Sequence, residues 1–170
     1  MGTLRNLLMG YSDVVALAEE GVMGFAHQAG AIVVLVALTL WLQCAGMAVL
    51  IHWAKTFIEQ SPNKLSAWRS ALLMVRFAGA MIILHILEIV VWAGFFRWQC
   101  FPSWDTSFYF SATSFTTVGY GDVLLPQIWH SVGPIESLTG VVMCGMSVSG
   151  LFAVLVRILA REPGFGPSGT

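Results

Sequence analysis

Charge is what this sequence has least of. Only 10% of its 170 residues are Asp, Glu, Lys or Arg, against about 25% in an ordinary soluble domain, while 57% are hydrophobic. So few charges cannot solvate a globule of this size, which argues against a soluble monomeric enzyme. Disorder is excluded too, because it needs low hydrophobicity and high net charge. Neither sign dominates: a net charge of −1 leaves no basic face for nucleic acid and no polybasic membrane patch. Cysteine is scarce as well. Cys44, Cys100 and Cys144 make no disulfide framework and are expected to stay free thiols. No Ser-His-Asp, Cys-His or metal-ligand spacing stands out, and His27 and His52 carry none, so neither catalysis nor a cofactor is expected. What remains is a chain whose main solvent is lipid.

The apolar residues fall in three long runs. From Gly21 to Ala54 there is no Asp, Glu, Lys or Arg, and Ala31 to Ile51 alone matches the roughly 20 residues that cross a hydrocarbon core. Ala71 to Phe96 is as long but carries Arg76 and Glu88, and Ser137 to Val156 is again free of charge. The reading is a first transmembrane helix over 28–53, an outer helix over 71–96 and an inner helix over 135–160. Ahead of them, Leu4, Leu7, Leu8, Tyr11, Val14, Val15 and Ala18 recur at helical spacing, so 1–27 reads as an amphipathic, interfacial segment. The connection 54–70 holds Lys55, Lys64 and Arg69 against Glu59, and the last helix ends in Arg157 and Arg161. An excess of Lys and Arg marks cytoplasmic ends. The N-terminus and the 97–135 segment are then outside and the C-terminus cytoplasmic. The Gly- and Pro-rich tail 161–170 reads as a flexible end. No span carries a periodic Arg array, so voltage sensing of the usual kind is not encoded.

The informative stretch is Thr116-Thr117-Val118-Gly119-Tyr120-Gly121-Asp122. Thr117 to Gly121 spell TVGYG, the signature of potassium-selective filters. With FYFSATSFTTVGYGD around it, the region 71–160 resembles the pore module of tetrameric K⁺ channels, in a small prokaryotic-type version with one extra N-terminal span. The resemblance implies an all-α membrane protein with three transmembrane helices, a re-entrant pore helix over 104–115, and a filter over 116–122, assembled as a fourfold homotetramer. It also implies a multi-pass protein of a prokaryotic cytoplasmic membrane, with K⁺ and the lipid bilayer as its partners.

The chemistry behind the motif can be argued directly. A K⁺ ion leaving water needs its hydration oxygens replaced, and neutral backbone carbonyls bind it moderately enough to let it go. Aiming successive carbonyls at one axis requires positive φ, which Gly119 and Gly121 supply at little steric cost. The Thr117 hydroxyl can add an oxygen at the inner end, Val118 and Tyr120 point away from the axis, and Asp122 concentrates cations at the pore mouth. One chain supplies one filter, so four chains must surround the axis.

Other residues are read around this filter. Ser103 can cap the pore helix, with Asp105 in its first turn. In the family, aromatics at the positions of Phe108, Tyr109 and Phe110 brace the filter tyrosine, so Tyr109 or Phe110 is expected to touch Tyr120. Thr113 stands where several family members carry Glu or Val near the filter Asp, and offers only its hydroxyl there. Gly140 and Gly145 are both candidates for a gating hinge, with close helix packing as the alternative. Thr139, Met143, Ser147 and Ser149 are candidates for the cavity wall. Glu88 and His85 share a helix face. Glu88 is expected to anchor the outer helix by bonding protein around the pore helix, with proton sensing alongside His85 as the alternative. Trp129 reads as an interfacial anchor, and Glu136 as a structural residue near the positive end of its helix.

Three functions compete: a potassium-selective channel, a weakly selective cation channel, and a non-conducting subunit of a larger membrane assembly.

Overall fold

A computed structural model describes residues 2–60 and 66–160, with side chains from Ala26 onward. The chain is helical, with no strand among the described residues: α1 (Gly2–Glu59), α2 (Ala67–Gln99), the short α3 (Trp104–Phe115) and α4 (Val132–Leu159), with a single 3-10 turn at Gln127–Trp129 before α4. Three segments are long and apolar enough to cross a membrane, Ala26–Glu59, Ala67–Gln99 and Gln127–Leu159. The chain divides into two compact units, residues 1–35 and 36–170. The first consists of the N-terminal part of α1, and the second holds the rest of α1 with α2, α3 and α4.

Helix limits differ from those read off hydropathy. No helix end separates 27 from 28, and α1 continues through Glu59 rather than stopping at Trp53. Likewise α2 begins at Ala67 and runs to Gln99, and α4 begins at Val132. Apolar length marks only the part of a helix that lies in hydrocarbon. The ends are set by residues that cannot continue the turn, such as Pro102 two residues past the C-cap of α2. The side-chain pattern of 1–25 and the tail 161–170 lie outside the described residues.

Two packed regions hold the second unit together. One joins the C-terminal part of α1 to the start of α2 and the end of α4: Met47, Ala54 and Ile58 meet Leu73, Phe77, Met81, Val154 and Ile158. The other is aromatic and surrounds α3. Phe110 stands edge-on to Phe96 with ring centres 4.9 Å apart, Phe101 lies 5.6 Å from Phe110, and Phe95 meets Trp129 edge-on at 5.2 Å. Trp129 is therefore buried, a correction to its reading as an interfacial anchor. The 3-10 turn rolls its indole inward against α2.

The polar residues of α1 make a second departure from a plain lipid-facing span. Thr39 and Gln43 are fully buried and sit one turn apart on one face. The Trp92 indole N–H donates to Thr39 Oγ1 at 3.1 Å, and the Gln43 amide donates to the Met143 carbonyl at 3.1 Å and to Ser147 Oγ at 2.9 Å. With no water in a bilayer core, such groups must find protein partners. These bonds tie α1 to both α2 and α4.

Candidate functional site

The site begins with a helix too short to cross anything. At about 1.5 Å per residue, the 12 residues of α3 reach only about halfway through a 30 Å core. Its start is fixed locally: Ser103 Oγ accepts the Thr106 amide at 3.1 Å, Ser107 Oγ donates back to the Ser103 carbonyl at 2.8 Å, and Asp105 sits in the first turn, where negative charge meets the positive end of the helix.

The other end of α3 shapes the loop. The Thr117 amide donates to the Ser114 carbonyl at 2.9 Å and the Val118 amide to the Thr113 carbonyl at 2.9 Å, which is the paired hydrogen bonding of a Schellman cap. The cap needs a left-handed residue just past the helix, usually Gly; here it is Thr117, at φ 62°. A β-branched residue there is strained by about 1–2 kcal/mol. The Gly119 amide bonds Thr113 O as well, at 3.1 Å. Positive φ then recurs at Gly119 (50°) and Gly121 (74°), alternating with Val118 and Tyr120. With its first three amides turned into the helix end, the loop leaves its carbonyl oxygens unclaimed by its own backbone. Oxygens of this kind can replace part of the hydration shell of a cation.

Thr113 acts through its carbonyl, which holds two loop amides, whereas its hydroxyl donates to Phe110 O at 3.0 Å. That hydroxyl therefore makes no bond to Asp122. Tyr109 takes the place instead, its hydroxyl donating to Asp122 Oδ2 at 2.8 Å, while Asp122 Oδ1 accepts the Val123 amide at 3.1 Å. The bond to this carboxylate, with smaller burial and charge effects, holds the Tyr109 hydroxyl above its ordinary pKa. Within the chain no ring contact joins Tyr120 to Tyr109 or Phe110; Tyr120 is 71% exposed, and Phe110 faces Phe96 and Phe101. Thr116 Oγ1 donates to Ala112 O at 2.6 Å.

α4 forms the seat. The Ser111 hydroxyl lies 2.6 Å from Glu136 Oε1 and 3.0 Å from the Ile89 carbonyl, so one small side chain meets both neighbouring helices. Glu136 is fully buried. The Ser137 hydroxyl reaches Ser114 O at 2.7 Å. A Cβ on Gly140 would fall on the Phe115 carbonyl oxygen, so the two backbones touch where α3 ends. Gly140 is a packing glycine, while Gly145 has open space around it. Replacing Ser111 with Ala would leave the buried Glu136 carboxyl without a partner. We expect a loss of about 1–3 kcal/mol in stability, read by thermal unfolding in detergent; Glu136→Gln, which keeps an acceptor, should cost less.

α3 is thus anchored by Glu136 of α4, which corrects the expectation for Glu88. Glu88 is also buried, but its Oε2 pairs with His85 Nδ1 at 2.8 Å on its own helix. His85 Nε2 continues to Ser147 Oγ at 3.0 Å, and Ser147 to Gln43. Glu88 is thus bonded along its own helix, where residues three apart face each other. Thr139, Met143 and Ser147 are corrected likewise: all three belong to the buried face of α4, packed within the chain. Ser149 is exposed and bonds only Gly145 O, at 2.9 Å. Gln43 went unnoticed in the sequence, although it is the one side-chain amide of the run Ala31–Ile51.

No three of His, Cys, Asp and Glu come together to hold a metal ion among the described residues. All three cysteines are free. Burial raises the Cys100 thiol to about 11. Its alkylation at pH 8 should therefore run tens of times slower than that of an ordinary exposed thiol, measured by mass spectrometry against a short cysteine peptide.

A family model described as ion channel matches residues 71–157, just over half of the chain. It takes in most of α2, all of α3, the loop and nearly all of α4. No curated protein and no solved structure matches the chain significantly.

Proposed function

The chain belongs to the ion channel family, and from that premise we propose that it is a potassium-selective channel in which four copies surround one filter. The observation that carries the reading is the loop Thr117–Gly121. Its alternating backbone, with φ of 62°, 50° and 74° at every second residue, suits it to present successive carbonyls to a common axis. One loop cannot enclose an ion. Four identical loops give rings of four carbonyl oxygens, and an ion between two rings exchanges water for oxygens of moderate strength. The Thr117 hydroxyl adds a ligand at the inner end. α3 aims its C-terminal, partially negative end toward the space below the filter, which favours a cation there. Asp122, oriented by Tyr109, places negative charge at the mouth. The ion is cargo, and no cofactor is required.

Reconstituted vesicles test the reading. We expect K⁺ efflux under a K⁺ gradient at least tenfold faster than Na⁺ efflux under the mirror gradient, with the purified protein running as a tetramer. Equal rates would replace the proposal with a weakly selective cation channel. An absence of flux in any gradient would favour a non-conducting subunit.

A further inference from the structure

Near Glu59 of α1 and Leu159 of α4 the two helices part around a cleft of about 410 Å³. Its floor is Ile58 and Val154, both part of the three-helix core. Lys55 and Arg157 line it as well, four and two residues from the last residues of their helices. At that depth, long cationic side chains reach the headgroup layer. Ile51 and Ala153 also line it, each one turn deeper than the cation on its own helix. The cleft is cationic at headgroup level and apolar below, the polarity profile of a phospholipid.

The charges are available to an anion. Lys55 has no carboxylate partner among the described residues. Arg157 Nη2 lies 3.0 Å from Glu59 Oε1, with the side chains 47% and 58% exposed; a pair so exposed holds weakly and leaves other guanidinium donors unused. The excess of Lys and Arg at this end also points to the cytoplasmic leaflet, which carries the anionic lipids.

We propose that this cleft binds an anionic phospholipid of the cytoplasmic leaflet, its phosphate held by Lys55 and Arg157 and one acyl chain lying along Ile51 and Ala153. A zwitterionic lipid brings a cation to the same two cations, and free phosphate brings no chain to fill the apolar wall. The inference rests on the membrane-spanning reading but not on ion selectivity. The lipid would touch the extra span and α4 together, so its binding bears on where the end of α4 rests.

The full chain, reconstituted in phosphatidylcholine membranes with increasing phosphatidylglycerol and then extracted in mild detergent, is analysed for retained lipid by native mass spectrometry. Phosphatidylglycerol should be retained over phosphatidylcholine. Lys55→Gln and Arg157→Gln should each weaken retention about fivefold, and Glu59→Gln, which removes the competing carboxylate, should strengthen it. Ala153→Trp, which fills the cleft with every charge in place, should abolish it, and millimolar inorganic phosphate should not compete. Equal retention of the two lipids, or unchanged retention in the Lys55→Gln/Arg157→Gln double variant, overturns the proposal. So does retention that survives Ala153→Trp, since the charges then act without the cleft, or a cleft filled by a second copy of the chain. Both charge variants lie on exposed residues, so the test survives if Ala153→Trp fails to fold. Retention is measured without conduction, so a failure here leaves the channel reading untouched.

Discussion

Gly119→Ala and Gly121→Ala are each expected to abolish K⁺ flux, by at least about 100-fold, while leaving helix content unchanged by circular dichroism. The two glycines hold φ of 50° and 74°, where a Cβ crowds its own carbonyl and costs about 1–2 kcal/mol per residue. Neither would clash within the chain, since a Cβ at either position meets nothing within 4 Å. The penalty is conformational, and the cheapest relief is to rotate the peptide and turn a carbonyl off the axis. In the proposed fourfold filter the change enters all copies at once, so one tilted peptide per chain removes a whole ring of ligands. Flux near the wild-type level in either variant, with K⁺ still preferred over Na⁺, would show that these φ values are not what orients the carbonyls.

The second large effect concerns α4. Gly140→Val should lower thermal stability by about 1–3 kcal/mol per chain and suppress flux along with it. The new side chain lands on the Phe115 carbonyl, and backbone cannot step aside as a flexible side chain would. Moving Phe115 displaces the end of α3, and with it the Thr113 and Ser114 carbonyls that hold the loop amides. Gly145→Ala is the matched control. With open space around it and a gain in helix propensity of about 1 kcal/mol, it should leave stability unchanged or raised. If Gly145 is a hinge, its variant instead alters flux at constant stability, and the pair separates bending from packing. A Gly140→Val variant as stable and conductive as wild type would contradict the backbone contact.

The corrections share a cause. His85 and Glu88 stand out in the sequence as ionisable groups within a span, and the structure joins them at 2.8 Å. Their neighbours were not legible. The outer helix was expected to hold the pore helix through Glu88, whereas Glu136 does so through Ser111. Both are buried acids on helices flanking α3, and sequence spacing fixes how each sits on its own helix without saying which helix its face meets. Gln43 shows the converse. A lone amide in an apolar run had to find a partner inside the protein, but nothing in the run names Met143 and Ser147 as that partner. Thr113 could be placed beside the filter, yet the Schellman cap gave its carbonyl the supporting role and left its hydroxyl to its own helix.

Composition and run length determined by themselves that this is an all-helical protein with three segments long and apolar enough to cross a membrane, and the heptapeptide Thr116–Asp122 marked the loop on which the proposed function rests. These are largely local properties: hydropathy and the positive φ of Gly119 and Gly121 act over a few residues, so a linear string carries them, whereas the left-handed Thr117 came from the cap of α3. Tertiary structure decided which face of each helix is inside. About 100° separates successive residues around a helix, so a modest rotation exchanges packed and exposed faces without changing the sequence pattern. That rotation turned Thr139, Met143 and Ser147 inward, set Gly140 against Phe115, and left Lys55 and Arg157 at the rim of one cleft.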